Sequence, residues 1–582
     1  MSWRNERCGD LRPEDVGRRV VLAGWTARRR DHGNLVFVDL RDDTGICQLV
    51  LNPERAPEAT AAAHGVRNEF VLQAEGEVVL RAPEAVNPGL PTGEVEIQVD
   101  RLEIVSRCPP LPFQLDEEGV DETLRIRYRW IDLRRERLQR NLRLRAQMLS
   151  IIRREMNADG FVELETPIMA KPTPEGARDF LVPTRLQPGR FFALPQSPQI
   201  YKQLLVISGF ERYYQIARCF RDEDLRADRV QEITQLDVEM AFPDREYLFT
   251  LMERAFSAVW RECIDADLGP PFPRLTYAEA MRRYGSDKPD LRYELELHDV
   301  TEVTRGSQFG VFANAPLVRC LAVPQALARS ELAALEAFAK ERGAKGLAYL
   351  VAGEDGEVRS PIAKFLSAAE LDAFAVAPAS TVLFAADEEP VVNRVLGALR
   401  VHLAQTLGLV DESLWRPVWI VDFPMFDWEE DEQAWKANHH PFTSPTPETE
   451  ALLATDPGAA VAQSYDLVIN GTELGSGSIR IHRPELQSQI FDILRISREE
   501  QRARFGFLLD ALGMGAPPHG GFAPGMDRTA MLLAGEPNLR DVIAFPKNQA
   551  GFDPMTGAPT AVTPEQLREL GIAVTAQGDE RP

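Results

Sequence analysis

Short apolar runs, rich in β-branched residues and cut by Gly, Asp and Pro, dominate residues 18–105. RRVVLAGWTA, NLVFVDLRDDTG, ICQLVLN, FVLQAEGEVVL and EVEIQVDRLEIV each predict a strand, because such side chains suit a pleated, half-buried surface. Five strands in about 90 residues predict a small β-barrel of the oligonucleotide-binding type (OB fold) over 1–107. CPPLPFQLDEEG at 108–119 is proline-rich and acidic and marks a linker, which an arginine-rich, helix-forming stretch extends as a hinge to 141. From 142 the apolar spacing turns helical in LRLRAQMLSIIRREMNADG, and strand and helix signals then alternate to 292. Residues 293–417 are alanine-rich, with helical runs such as ALARSELAALEAFAKERG beside short strands such as LAYLVAG; this predicts an inserted α/β domain. At 418–426, VWIVDFPMF returns to the alternating pattern of 142–292, which continues to 545, and the tail 546–582 is turn-rich and ends in a short helix. The pattern as a whole predicts a multidomain α+β chain.

At 582 residues, 44% hydrophobic and 27% charged, the chain can build sizeable cores. Six cysteines lie far apart without a CxxC pair, which argues against a zinc knuckle or a disulfide framework and for a reduced, cytoplasmic protein. No apolar run reaches the ~18–20 residues of a membrane span, and the first residues lack the apolar core of a signal peptide. A net charge of −23 opposes nucleic-acid binding over the whole surface. Its distribution changes the picture: residues 125–145 hold nine arginines against Asp132 and Glu136, and Arg28, Arg29 and Arg30 form a second basic cluster. Such stripes serve either as RNA docking sites or as solvated helix faces.

Four segments concentrate chemistry beyond what packing demands. FRDEDLRADRVQEITQLDVEM (220–240) reads as strand, polar loop, strand, with Arg221, Asp222, Glu223, Arg226 and Arg229 in the loop; guanidinium groups on a rigid strand suit phosphate or carboxylate, and a salt-bridged hairpin is the plain alternative. GGFAPGMDRTAMLLAG (520–535) sets paired glycines ahead of Asp527 and Arg528 at a helix start, where a nucleotide can approach the backbone. The alternation in YDLVINGTELGSGSIRIH (465–482) offers Asp466 and Glu473 as oxygen ligands for Mg²⁺ on ATP and Arg480 as an anion clamp, or else a solvent-facing strand pair. TPEGARDFLVPTR with LPQSPQIYKQLL (173–205) offers Glu175 for an ammonium group and Lys202 for a carboxylate, near Gln196, Ser197 and Gln199. The paired His439 and His440 lie in a Pro-bounded loop, where a structural role is as natural as a chemical one.

In order and type these segments resemble the signature motifs of the class II aminoacyl-tRNA synthetases. GFVELETP with Pro167 resembles the dimer-forming first motif, FRDED with Arg221 the second and GMDR with Arg528 the third. EGARDFLVP, LPQSPQ, FRDEDLRADR, RYGSDKPDLR, HHPFTSP and NGTELGSGSIRIH resemble the bacterial aspartyl branch, essentially end to end. The resemblance implies an antiparallel catalytic sheet flanked by helices, a GAD-type insert, a homodimer, and ATP-dependent transfer of L-aspartate to tRNA(Asp). It implies aspartate contacts from Glu175, Gln199, Lys202, Arg221, His439 and Arg480. ATP contacts fall to Arg221, Asp222, Glu223, Val230, Glu473, Gly525, Met526, Asp527 and Arg528, with Mg²⁺ on Glu473 and Asp466. The barrel would read the anticodon with Arg28, Arg30, His32, Phe37, Gln48 and Arg81, single-stranded bases stacking on an aromatic ring; Phe37 fits barrel core equally well.

Three positions depart from the family pattern. Ile233 stands where an aromatic residue usually stacks on adenine, Val230 replaces a polar residue, and Ser476 replaces a Gly. His32 stands where members restricted to tRNA(Asp) carry Leu, so the resemblance implies a relaxed enzyme that also charges tRNA(Asn), with Glu84 as a second tuning position; strict tRNA(Asp) specificity is the alternative. Within the class, asparaginyl and lysyl enzymes are disfavoured by Lys202 with Arg480, since two cations suit a carboxylate better than an amide or ammonium.

Overall fold

The computed structural model describes residues 3–172 and 177–574, which form two compact units meeting at Val120 and Asp121. Glu175, expected to bind an amino group, lies outside the described residues.

The first unit is a closed barrel of β1 (Arg19–His32), β2 (Leu35–Arg41), β3 (Ile46–Leu51), β4 (Val71–Leu80) and β5 (Val95–Ser106), closing in the order β1-β2-β3-β5-β4. Alternate residues point inward, as period-two strands require: Val20 and Leu22, then Val36, Val38 and Leu40, then Leu72, Ala74 and Val78. The same alternation turns Phe37 outward, only partly covered, so it is not barrel core.

In the second unit six antiparallel strands form the central sheet, in the order Pro417–Val421, Ser464–Ile469, Thr472–Ile479, His519–Pro524, Glu232–Ala241 and Arg212–Phe220. Short parallel strands, Arg274–Thr276 and Val162–Glu163, extend its two edges. One face carries the core. Leu236, Val238, Leu467, Ile469 and Phe522 meet Met148, Ile152 and Met156 of helix Glu136–Ala158 and Phe249, Met252, Phe256 and Trp260 of helix Arg245–Ile264. Each fully buried side chain of this size contributes about 1.5–3 kcal/mol, so this face anchors the sheet and leaves the other free for polar work.

Between Arg274–Thr276 and Pro417–Val421, neighbours in that sheet, the chain makes a separate antiparallel sheet in the order Leu297–Asp299, Leu317–Val323, Thr381–Asp387, Ala348–Ala352 and Val358–Arg359. Helices Arg329–Lys340 and Glu389–Thr406 cover it through Leu332, Leu335, Val392, Leu396 and Leu399.

The arginine-rich stretch is neither a hinge nor, over most of its length, a solvated stripe. It opens the second unit and clamps the segment 536–544. Arg129, almost fully buried, donates to the carbonyls of Arg540, Ile543 and Ala544 at 2.8–2.9 Å and to Asp132 at 2.6 Å. Arg125 pairs with Asp132 and Asp541, and Arg137 with Glu536. Guanidinium forks satisfy several carbonyls at once, which suits them to hold a loop that has no ladder of its own. No helix among the described residues is long and apolar enough to cross a membrane, and all six cysteines are free.

Candidate active site

The other face of the central sheet carries a row of polar residues. On the strand Glu232–Ala241, Thr234, Leu236, Val238 and Met240 share one face, so Ile233, Gln235, Asp237 and Glu239 share the other. The neighbouring strand Thr472–Ile479 would by plain alternation put Glu473 and Arg480 on opposite faces. A β-bulge prevents this: Gly475 pairs with Leu467 and Glu473 with the next residue, Val468, leaving Leu474 as the extra one. Glu473, Ser476, Ser478 and Arg480 therefore lie on one face, with Asp466 directly opposite Ser476.

At one end of this face sits a buried ion cluster. Lys202, on helix Gln199–Ile207, reaches Asp237 at 2.8 Å and Glu239 at 3.5 Å. Arg480 donates from Nε and Nη2 to the two oxygens of Glu239 at 3.0 and 3.1 Å, and from Nη1 to Ser478 Oγ at 2.6 Å. All four charged side chains are at most 2% exposed. Burial pushes the Glu239 carboxyl up, but Arg480 and Lys202 outweigh it and hold it below the usual range. Glycine makes the cluster possible. Gly521 lies opposite Glu239, and a Cβ there would stand 2.3 Å from Glu239 Oε2 and 1.9 Å from Val238 O. Asp237 Oδ2 and the buried amide nitrogen of Gln199 have no hydrogen-bond partner among the described residues, an arrangement that costs free energy unless a ligand completes it.

At the other end Asp466 and Glu473 face each other. Burial, then the charge of Asp466, raises the Glu473 carboxyl above its usual range against the pull of Arg528 and Lys288. Arg528 Nη1 donates to the main-chain carbonyl of Glu473 at 2.7 Å. The two histidines join the ends. His439 Nε2 lies 3.2 Å from Asp466, and that partnership outweighs burial, so its pKa is raised. His440 is driven well below the ordinary histidine value by burial and by Arg480, and its Nε2 lies 2.6 Å from Arg480 Nη1.

Lys202, Gln199, Arg480, His439, Asp466, Glu473 and Arg528 thus share one surface. Arg221 follows the strand Arg212–Phe220; its N–H donates to Gln231 O, and its half-buried side chain has no hydrogen bond or ion pair among the described residues. Val230 is half-buried on the same loop, Asp222 is exposed, and Glu223 is taken by Arg229 at 3.1 Å. The side chains of two residues expected at the nucleotide are engaged within the fold. Met526 is wholly buried in the hydrophobic core. Asp527 accepts from Thr234 N–H and pairs with Arg145, so its carboxylate seats the helix Met526–Ala534 and is not free for a nucleotide. Gly525, at the N-terminus of that helix, and Arg528 remain available. Asp237, Glu239 and His440 were absent from the expected site; the alternate polar residues in QLDVEM, within an otherwise apolar strand, are the signal that marks the first two.

The barrel carries a second polar surface. Arg30 pairs across to Phe37 and Arg28 to Asp39, which in turn pairs with Gln48. Arg30 bridges Asp39 at 2.7 Å and Gln48 at 3.2 Å, and Gln48 donates to Glu96 at 2.9 Å. Burial lifts the Asp39 carboxyl above its usual range although Arg30, Arg81 and Arg28 surround it. Arg81 is itself buried, donating from Nε to Val95 O. His32 lies exposed at the end of β1, and Glu84 is exposed in the turn Pro83–Ala85.

Comparison with known proteins agrees with this layout. A family model for tRNA synthetases class II (D, K and N) matches residues 121–549, and one for an OB-fold nucleic acid binding domain matches 20–105. The chain is 50% identical to an aspartate--tRNA(Asp/Asn) ligase of Geotalea uraniireducens over 98% of both proteins. It is 49% identical to an aspartate--tRNA ligase of Geobacillus kaustophilus over 99% of this chain and all of that one. In fold it is similar to the asparaginyl-tRNA synthetase of Pyrococcus horikoshii solved with asparaginyl-adenylate, with a TM-score of 0.61 and 19% identity over 93% of this chain and 97% of that one. A class II sheet with its polar face intact, an OB barrel ahead of it and full-length relatives at half identity lead to one statement: this chain belongs to the class II tRNA synthetases of the D, K and N group.

Proposed function

We propose that the chain is an aspartate–tRNA ligase: it condenses L-aspartate with ATP to aspartyl-adenylate and pyrophosphate, then transfers the aspartyl group to the 3′-terminal adenosine of tRNA(Asp), releasing AMP. The observation that carries the substrate assignment is the buried pair of cations, Lys202 and Arg480, at one end of the polar face. Asp237 and Glu239 neutralise the two cations and hold them in place; the N–H donors that Lys202 and Arg480 keep open suit a side-chain carboxylate, whereas an ammonium offers those donors no acceptor. The unpartnered Asp237 Oδ2 and Gln199 amide are polar groups suited to the rest of the amino acid, and Glu175 is assigned its α-amino group. Arg221 and Arg528 are assigned the phosphates, where charge develops as the aspartate carboxylate attacks the α-phosphorus in line. Ile233 gives adenine apolar contact only, weaker by about 0.5–1.5 kcal/mol than an aromatic stack.

Asp466 and Glu473 fit a divalent cation. Burial, then repulsion from Asp466, raises Glu473, and that repulsion is the kind a cation relieves. Two carboxylates suit Mg²⁺, an ion that keeps water and phosphate oxygens in most of its positions. When bound it would neutralise charge on the ATP phosphates. His439 links this end to the aspartate end through Asp466.

The barrel surface around Phe37, Arg28, Arg30, Gln48 and Arg81 is assigned to the anticodon: an outward ring for stacking beside amide and guanidinium groups for base edges. His32 supports a relaxed range that includes tRNA(Asn), the range printed in the name of the Geotalea relative. A homodimer is supported by the exposed apolar residues Val162, Ile168, Met169, Phe210 and Phe242 near the first motif. Charging of purified tRNA(Asp) and tRNA(Asn) with labelled aspartate tests the proposal. Aspartate esterified to tRNA(Asp) with AMP release is expected; no charging of either tRNA would refute it, and charging of tRNA(Asp) alone would leave the strict enzyme.

A further inference from the structure

The two cations that define the amino-acid end come from elements that are not bonded to one another: Lys202 from a helix lying on the sheet, Arg480 from just beyond a strand within it. Glu239 links their head groups, and the separation of the main chains that carry them is set by whatever fixes that helix to that strand. One fully buried side chain does both. His519 opens the strand His519–Pro524 at 0% exposure, and its main-chain carbonyl accepts from Arg480 N–H at 2.8 Å. Its ring Nε2 lies 3.1 Å from the carboxamide of Gln203, the residue next to Lys202, and Nδ1 lies 2.8 Å from Pro517 O. Gln203 is itself 1% exposed.

The chemistry of this contact is constrained. Pro517 O can only accept, so Nδ1 carries the proton. Burial disfavours a second proton on the ring against the pull of Glu239 and the Pro517 carbonyl, with the Arg480 charge adding to it, so Nε2 accepts. Gln203, whose Oε1 faces Nε2 at 3.1 Å, presents its NH₂ to the ring once its carboxamide is turned over, which moves the oxygen to the buried position where the nitrogen has no partner. The result is a neutral strut with a fixed tautomer, running from the Lys202 helix through the imidazole to the Arg480 main chain.

We propose that His519, acting with Gln203, is a positioning residue that sets the separation of Lys202 and Arg480 and so the preference for a side-chain carboxylate over a carboxamide. This deepens the aspartate–tRNA ligase reading and rests on it. A clamp of two cations is sensitive to spacing, because a displacement of about 1 Å at a charged, desolvated contact changes rates by about two orders of magnitude. The ATP end lies at the far end of the same strand and takes no part in the strut.

Pyrophosphate exchange by the full-length chain, with aspartate and ATP varied separately, tests this. His519→Phe and Gln203→Met are each expected to raise the aspartate KM about 10-fold or more while leaving the ATP KM within about 2-fold, and to narrow the aspartate-over-asparagine preference. The double variant is expected to match the single ones, as members of one unit do. If His519→Phe does not fold, the near-isosteric Gln203→Met carries the test alone. An unchanged aspartate KM in both variants, or aspartate and ATP KM values rising together, would overturn the proposal, as would effects that multiply in the double variant. Lack of aspartate-dependent exchange in the unmodified chain would instead remove the functional reading itself.

Discussion

Replacing Arg480 by Met separates its two duties. The guanidinium has five N–H donors: two go to Glu239, one to Ser478, and one faces His440 Nε2, which leaves one open to a ligand. Arg480→Met strands Glu239, fully buried, with Lys202 at 3.5 Å, and Lys202 is already shared with Asp237. Removing one partner of a buried pair costs about 3–5 kcal/mol. The one charge-assisted bond left for the substrate carboxylate is lost as well, about 1.5–3 kcal/mol, or roughly one to two decades in kcat/KM for aspartate. Adding Glu239→Gln removes the stranded charge and is expected to recover about 2 kcal/mol of stability without recovering aspartate activity. Denaturant unfolding measures the first quantity and pyrophosphate exchange the second. A double variant no more stable than Arg480→Met would show that Arg480 does not hold Glu239. Recovery of aspartate activity in the double variant would show that Arg480 does not recognise the carboxylate.

Gly521→Ala is expected to cost about 2–4 kcal/mol, since its methyl would meet Val238 O and Glu239 Oε2, and to raise the aspartate KM more than the ATP KM; equal KM changes would contradict this. Glu473→Gln is expected to lower pyrophosphate exchange about 100-fold and to raise the Mg²⁺ concentration giving half-maximal rate; an unchanged Mg²⁺ dependence would count against that site. His439 has a raised pKa because Asp466 favours the charged ring. The pairing therefore stabilises the fold fully below about pH 6.5, the free histidine value, and is lost as pH rises through the raised value. Asp466→Asn should move the His439 NMR titration midpoint down; a midpoint that stays put would refute the coupling.

Much of this molecule is local and therefore readable along the chain. Apolar runs and turn residues define the barrel strands, and the change of composition near 293 announces a second sheet, because strand propensity and side-chain alternation depend on near neighbours. Phe37 shows where that reading stops. Its residue type suits both barrel core and stacking surface, and only the register of β1, β2 and β3 turns it outward. Glu473 shows it more sharply. Counting by twos from Arg480 puts it on the wrong face; the bulge at Leu474, fixed by pairing with a neighbouring strand, brings it beside Asp466. Nine arginines in 21 residues look alike along the chain, but the carbonyls of 540–544, some 400 positions away, take up Arg129 while Arg127 and Arg140 stay exposed. Asp527 looks like a nucleotide ligand until Arg145 and Thr234 N–H claim it. Sequence alone determined which kinds of groups are present and in what order, because those follow from composition and short-range pattern. Tertiary structure decided which of those groups are spent on one another and which stay open, because partners hundreds of residues apart meet only through strand register and helix packing.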